Sequence, residues 1–68
     1  MKVIYDRETD TLSLILSDTK IVESDELREG LIVDYNEQGR VVSVEILDAS
    51  QNIKDPTAIS YELKEKTA

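Results

Sequence analysis

Asp34 and Glu45 are the acids of this chain best placed to do chemistry, because each sits inside an apolar run. The runs are Leu31–Tyr35 and Arg40–Leu47, both rich in β-branched residues. Two carboxyls in unlike surroundings can divide the roles of acid and base, since burial and neighbouring charge push their pKa values apart. A catalytic pair also needs a cleft and a helper group, and only Tyr35 and Arg40 lie close in sequence. The simpler expectation is structural. Both acids would then lie on the wetter face of a sheet, paired with Arg40 or bonded to backbone amides.

Two further acidic groups can be weighed the same way. Asp6, Glu8 and Asp10 alternate as calcium-loop ligands do, but Thr11 and Ser17 stand where that loop needs glycine and glutamate. A solvated turn is expected there. Glu23, Asp25, Glu26 and Glu29 form a second cluster, with Arg28 inside it. It reads either as a solvated connection or as a docking face for a basic partner.

Other chemistries lack their residues. Histidine and cysteine are both absent, which removes His–Cys zinc sites and any disulfide. Ser50 has no histidine base and no nucleophile motif around it, so it reads as a turn residue. Tyr5 and Tyr35 read as scaffold at strand ends, with Asp6 and Asp34 beside them rather than the Lys and Arg of a nucleic-acid platform. Gly30 and Gly39 are isolated, so no phosphate-cradling loop exists. The 15 acidic and 8 basic residues give a net charge of −7, which disfavours nucleic acid and anionic membranes. No apolar run reaches membrane-spanning length and no signal-peptide pattern is present, so a cytoplasmic location is expected.

The elements that must position these residues are strands. Lys2–Tyr5 and Thr11–Ser17 flank the polar turn Asp6–Asp10, and Leu12, Leu14 and Leu16 recur at period two. Lys20–Glu23 reads as a short strand ended by Ser24-Asp25-Glu26. Leu31–Tyr35 and Arg40–Leu47 make the central hairpin, with Gly39 in its turn. Setting Tyr35 opposite Arg40 gathers Leu31, Val33, Val42, Val44 and Ile46 on one face, with Ile32, Asp34, Val41, Ser43 and Glu45 on the other. Turn chemistry instead favours a bulge at Gly39 with Asn36 opposite Arg40. Apolar bookkeeping selects the first register. Asp48–Asn52 reads as a loop or a single helical turn. Asp55-Pro56 resembles a helix start, yet Ile59, Tyr61 and Leu63 alternate as in a strand, and the β-rich context selects strand for residues 57–63.

One segment carries a family likeness. Gly30–Tyr35, Gly39 and Val41–Ser50, above all the run Glu45-Ile46-Leu47-Asp48-Ala49-Ser50, resemble the DUF2283 family of small proteins of unknown function. Upstream, Val3–Asp6, Asp10 and Leu12-Ser13-Leu14 resemble that family's opening hairpin, and Glu23–Glu26 its acidic centre. The likeness runs from residue 2 to about residue 63. Ser43 departs from it, at a place where the family most often has glycine.

The expectation is a single domain over residues 1–68. It is mainly β, a small antiparallel meander of five or six short strands with at most one short helical turn, completed by dimerisation. A chain this short buries only about 60% of its unfolded surface, so a second copy is the remaining support. No enzymatic activity, metal or cofactor is expected. The expected role is an acidic interaction module restraining a basic partner, as antitoxins do. The alternative is a homo-oligomer that binds a small ligand between subunits. Contacts are expected at Asp34, Tyr35, Glu45, Glu23, Asp25 and Glu26.

Overall fold

Period-two alternation builds the first hairpin from β1 (Lys2–Asp6) and β2 (Thr11–Ile15). The computed structural model describes residues 1–66 and pairs these strands antiparallel, Val3 opposite Leu14 and Tyr5 opposite Leu12. Asp10 closes the turn at φ 55°, a left-handed conformation that aspartate tolerates by bonding locally.

The chain then crosses to the far edge of the sheet. On the way the Leu16 and Ser17 N–H groups donate to the Val42 carbonyl, at 2.8 and 3.2 Å, and the Asn36 amide donates to the Thr19 hydroxyl at 3.2 Å. Beyond the crossing lie β3 (Glu23–Arg28), β4 (Leu31–Tyr35) and β5 (Val41–Ile46). The sheet has five strands in the order β1-β2-β5-β4-β3, every pair antiparallel. The fold is thus mainly β, as expected. Its order is not that of a simple meander, because β2 pairs with β5 rather than β3.

Three expectations need correction. The third strand is not Lys20–Glu23 but Glu23–Arg28, the segment expected to end it. An edge strand needs only main-chain partners on one side, so an exposed sequence that is polar except at Leu27 can occupy it. The central register also differs. Gly39 donates to the Asn36 carbonyl and Asn36 to the Arg40 carbonyl, each at 2.9 Å, so Asn36 and not Tyr35 faces Arg40. A further bulge follows: Tyr35 lies opposite Val41 but Asp34 opposite Ser43, leaving Val42 as the extra residue. It shifts the rest of the hairpin so that Val33 meets Val44 and Leu31 meets Ile46. The third correction concerns the C-terminal segment, where residues 57–63 form neither strand nor helix. Alternation makes a strand only where a neighbouring main chain supplies bonds. Here Asp55 instead accepts from the Thr57 N–H at 3.0 Å and its hydroxyl at 2.6 Å, a local turn. The short helical turn is α1 (Ala49–Asn52).

Gly39 sits at φ 78° with open space where a Cβ would project. Gly39→Ala is therefore expected to cost about 1 kcal/mol from backbone strain alone, and Gly39→Asn less. Urea midpoints of the two variants check this.

The registers sort the side chains into rows across the sheet. One face carries Val3–Leu14–Val44–Val33–Asp25 and Tyr5–Leu12–Ile46–Leu31–Arg28, apolar except at β3. The other carries Lys2–Ile15–Ser43–Asp34–Ser24 and Ile4–Ser13–Glu45–Ile32–Glu26. Only Val33, Val42 and Ala49 are buried apolar residues among those described, so the apolar face is half covered.

Candidate functional site

Asp34 is the most enclosed acid of the sheet, at 4% exposure on the mixed face. Its neighbours in the row are serines from the strands on either side. The Ser24 hydroxyl donates to Oδ1 at 2.5 Å, and the Ser43 hydroxyl donates to Oδ2 at 2.6 Å. Both bonds favour the ionised form, so Asp34 is held below the ordinary aspartate range, first by Ser24 and then by Ser43. The Ser43 hydroxyl is one that a glycine at this position would lack.

Glu45 stands in the adjacent row of the same face, opposite Ile32. Burial pushes its carboxyl up, and Asp34 nearby pushes it further. The sequence expectation that Asp34 and Glu45 share a face holds, and the bulge brings them within one diagonal step. Their pKa values move apart, which is the signature of an acid–base pair. Asp34, however, has both oxygens occupied by serines and almost no exposure. Its hydrogen bonds tie β3, β4 and β5 together.

A folded-state pKa above the ordinary glutamate value means that Glu45 supports the fold when protonated. That support is present below the ordinary range, near pH 4.3, and is lost as pH rises through the raised value. Glu45→Gln is therefore expected to melt at or above the wild-type temperature at pH 7, with the gain gone by about pH 4. Thermal melts across that range test it.

The other expected contacts separate. Tyr35 lies opposite Glu23, and Asp25 opposite Val33, both on the apolar face. Glu26 lies opposite Ile32, on the mixed face with Glu45. All three acids are exposed on β3, the outermost strand. They make an edge charged on both faces rather than a pocket.

Sequence reasoning missed one node. The Asp10 carboxylate accepts from the Tyr5 hydroxyl at 2.7 Å, the Ser50 amide at 3.0 Å and the Ser50 hydroxyl at 2.7 Å. The Ala49 N–H adds a bond to the Asp10 carbonyl at 2.9 Å. Ser50 holds Asp10 below the ordinary range, with Tyr5 second, and the bond to Asp10 raises the Tyr5 phenol. The only signal in the sequence was that Asp10 and Asp48-Ala49-Ser50 both fell within the family likeness. Asp6 likewise serves its turn, accepting from the Glu8 and Thr9 amides at 2.9 and 3.3 Å. Among the described residues no group of three acids is placed to hold a metal.

A cleft of about 570 Å³ opens on the apolar face, beneath the C-terminal segment. Val3, Leu12, Ile53 and Ile59 line it with Tyr5, and Arg7 is its one charged residue. Asp34, Tyr35 and Glu45 take no part in it.

The family model described as "Protein of unknown function (DUF2283)" matches residues 2–50. The match therefore ends at Ser50, short of the C-terminal segment that the likeness had been extended to. No curated protein and no solved structure matches the chain.

Proposed function

The chain belongs to the DUF2283 family, and from that premise we propose a non-catalytic, acidic interaction module that takes a basic extended segment along β3. The observation that carries this is the chemistry of that edge. All six β3 residues are exposed, β3 has a partner strand on one side only, and Glu23, Asp25 and Glu26 project to both faces. An added strand would bond to the free main chain, and its Lys or Arg side chains would meet acids whichever face they take. The role is antitoxin-like in the limited sense of restraining a basic partner.

Capture of the tagged protein from its native cells at low salt tests the proposal. One basic protein should come along in near-equal amount and leave as salt rises, because exposed charge pairs are screened. Glu23→Lys, Asp25→Lys and Glu26→Lys together should weaken the complex about a hundredfold, while Glu8→Lys, exposed on the β1–β2 turn by the opposite edge of the sheet, changes little. Recovery of nothing but further copies of this chain at every salt concentration would dismiss it.

The cleft favours a second reading, a small amphiphilic acid with its apolar part against Leu12 and Ile59 and its carboxylate at Arg7. It differs from the site expected between subunits at Asp34, Tyr35 and Glu45, none of which lines this cleft. A ligand that binds only the folded state raises its melting temperature. Medium-chain fatty acids should therefore shift the wild type and leave Arg7→Gln unmoved. An unmoved wild type removes this reading.

A further inference from the structure

The two edges of the sheet differ in what they can accept. β3 is a poor partner for itself: an antiparallel register centred on Ser24, Asp25 or Glu26 sets acid against acid. Like charges directly opposite are unfavourable. The β1 edge is the reverse. Its five residues, Lys2-Val3-Ile4-Tyr5-Asp6, carry a cation at one end and an anion at the other around an apolar centre. β1 has β2 on one side only, and among the described residues no backbone bond outside that hairpin reaches it.

We infer that β1 is the edge on which this chain adds a second copy of itself, antiparallel and centred on Ile4. The two-fold register then follows without adjustment. Lys2 lies opposite Asp6 of the second copy, Val3 opposite its Tyr5, and Ile4 opposite Ile4. Residues of equal parity point the same way along a strand, so every such pair is geometrically allowed. It is also the two-fold register that uses all five strand residues. The two Lys2–Asp6 pairs fall on the mixed face, where both residues are exposed. Only Oδ1 of Asp6 is engaged by its own turn. Ile4, 39% exposed in the single chain, gains an identical neighbour.

The product is an isologous dimer with one continuous sheet. On its apolar face the Val3 and Tyr5 of each copy meet the Tyr5 and Val3 of the other, and these residues form a wall of the cleft. The two clefts therefore adjoin across the two-fold axis. Both β3 edges are left at the outer ends of the sheet, free for another partner. This inference does not depend on what β3 binds, since the edges are separate.

Charge exchange tests the pairing, once circular dichroism has shown each variant folded, since Asp6 also accepts from the Glu8 and Thr9 amides of its own turn. Lys2→Glu sets like charges opposite in a self-pair, and so does Asp6→Lys. Each variant alone should raise the dimer dissociation constant about tenfold or more, given two reversed pairs per interface. An equimolar mixture restores complementarity and should return the dimer in sedimentation velocity runs. Cross-linking gives an independent readout, because the chain has no cysteine. Ile4→Cys places two thiols directly opposite, at a spacing a disulfide accepts, so mild oxidation should join the copies. Glu37→Cys, exposed on the β4–β5 turn, should form no disulfide between copies under the same conditions. Three results would overturn the inference: a wild type that sediments as a monomer at all concentrations, a variant mixture that does not re-dimerise, or an Ile4→Cys chain that cross-links no faster than Glu37→Cys.

Discussion

Asp34→Ala is expected to lose about 2–4 kcal/mol of stability, read as a fall in the urea midpoint. The figure follows from two hydrogen bonds to a charged acceptor, at 2.5 and 2.6 Å, each worth roughly 1.5–3 kcal/mol, less what the freed serines regain from water. For a chain of 68 residues the whole stability is only about 3–10 kcal/mol, so the loss is a large share of it. Removing both donors tests the same network from the other side. Ser24→Ala with Ser43→Ala leaves the carboxylate enclosed and unpaired, and should cost at least as much as Asp34→Ala. Ser43→Gly alone should show about half the effect. Adding Asp34→Ala to the double serine variant should cost little more, since the network is already broken. The pH dependence has a fixed sign. With its pKa depressed, Asp34 stabilises the fold above the ordinary aspartate range, near pH 3.9, and that stabilisation is lost as pH falls through the folded value. An Asp34→Ala protein within about 0.5 kcal/mol of wild type would refute the structural role and return Asp34 to the list of possible functional groups.

The four strands other than β3 were legible because a half-buried strand needs a period of two. Val3 with Tyr5, Leu12 with Leu14, Leu31 with Val33, and Val44 with Ile46 all supply it. β3 supplies none. Its six residues have an edge position, and an edge strand takes its shape from one neighbour's main chain rather than from burial. The apolar pair Ile21-Val22 drew the expected strand upstream, whereas in the fold it lies on the approach to β3. The central register was missed for a different reason. A bulge adds one residue to one strand, and the extra residue, Val42, is indistinguishable by type from Val41 and Val44. The tail misled in the opposite sense, since Ile59, Tyr61 and Leu63 alternate but have no strand beside them.

Site residues were legible in so far as they were unusual for their surroundings. An aspartate inside Leu-Ile-Val-Asp-Tyr is such a residue, but Asp34 is enclosed between two serine hydroxyls and not, as expected, on a wetter face beside Arg40 or backbone amides. Its partners were not, because Ser24 and Ser43 are ordinary residues that become relevant only once the strands are set side by side. The acids of β3 were read as one cluster, although alternation sends Glu23 and Asp25 to one face and Glu26 to the other. That division bears on the proposed partner, because an edge charged on both faces suits an inserted strand better than a flat surface does.

Asp10→Ala is expected to release the chain beyond β5 from the sheet. After Ile46 the hydrogen bonds that tie the path to the rest of the sheet are few: the Leu47 N–H to the Gly30 carbonyl at 2.8 Å and the Asp10 node. Asp10 alone accepts three side-chain-directed bonds, two of them from Ser50, which lies 40 residues away in sequence. Alanine also removes the local bonding that makes φ 55° tolerable at this position. Amide exchange in residues 49–60 should therefore become fast while the β4–β5 hairpin stays protected, and the cleft that those residues roof should no longer bind any ligand. Tyr5→Phe removes one of the three bonds and should give an intermediate exchange rate. Since Ser50 and Tyr5 depress the Asp10 pKa, docking of the segment should hold at neutral pH and fail only as pH falls through that lowered value, below the ordinary aspartate range. Slow exchange in residues 49–60 of Asp10→Ala would mean that packing of Ala49 and Ile53 suffices to hold the segment. The polar node would then be decoration on a contact made by apolar burial.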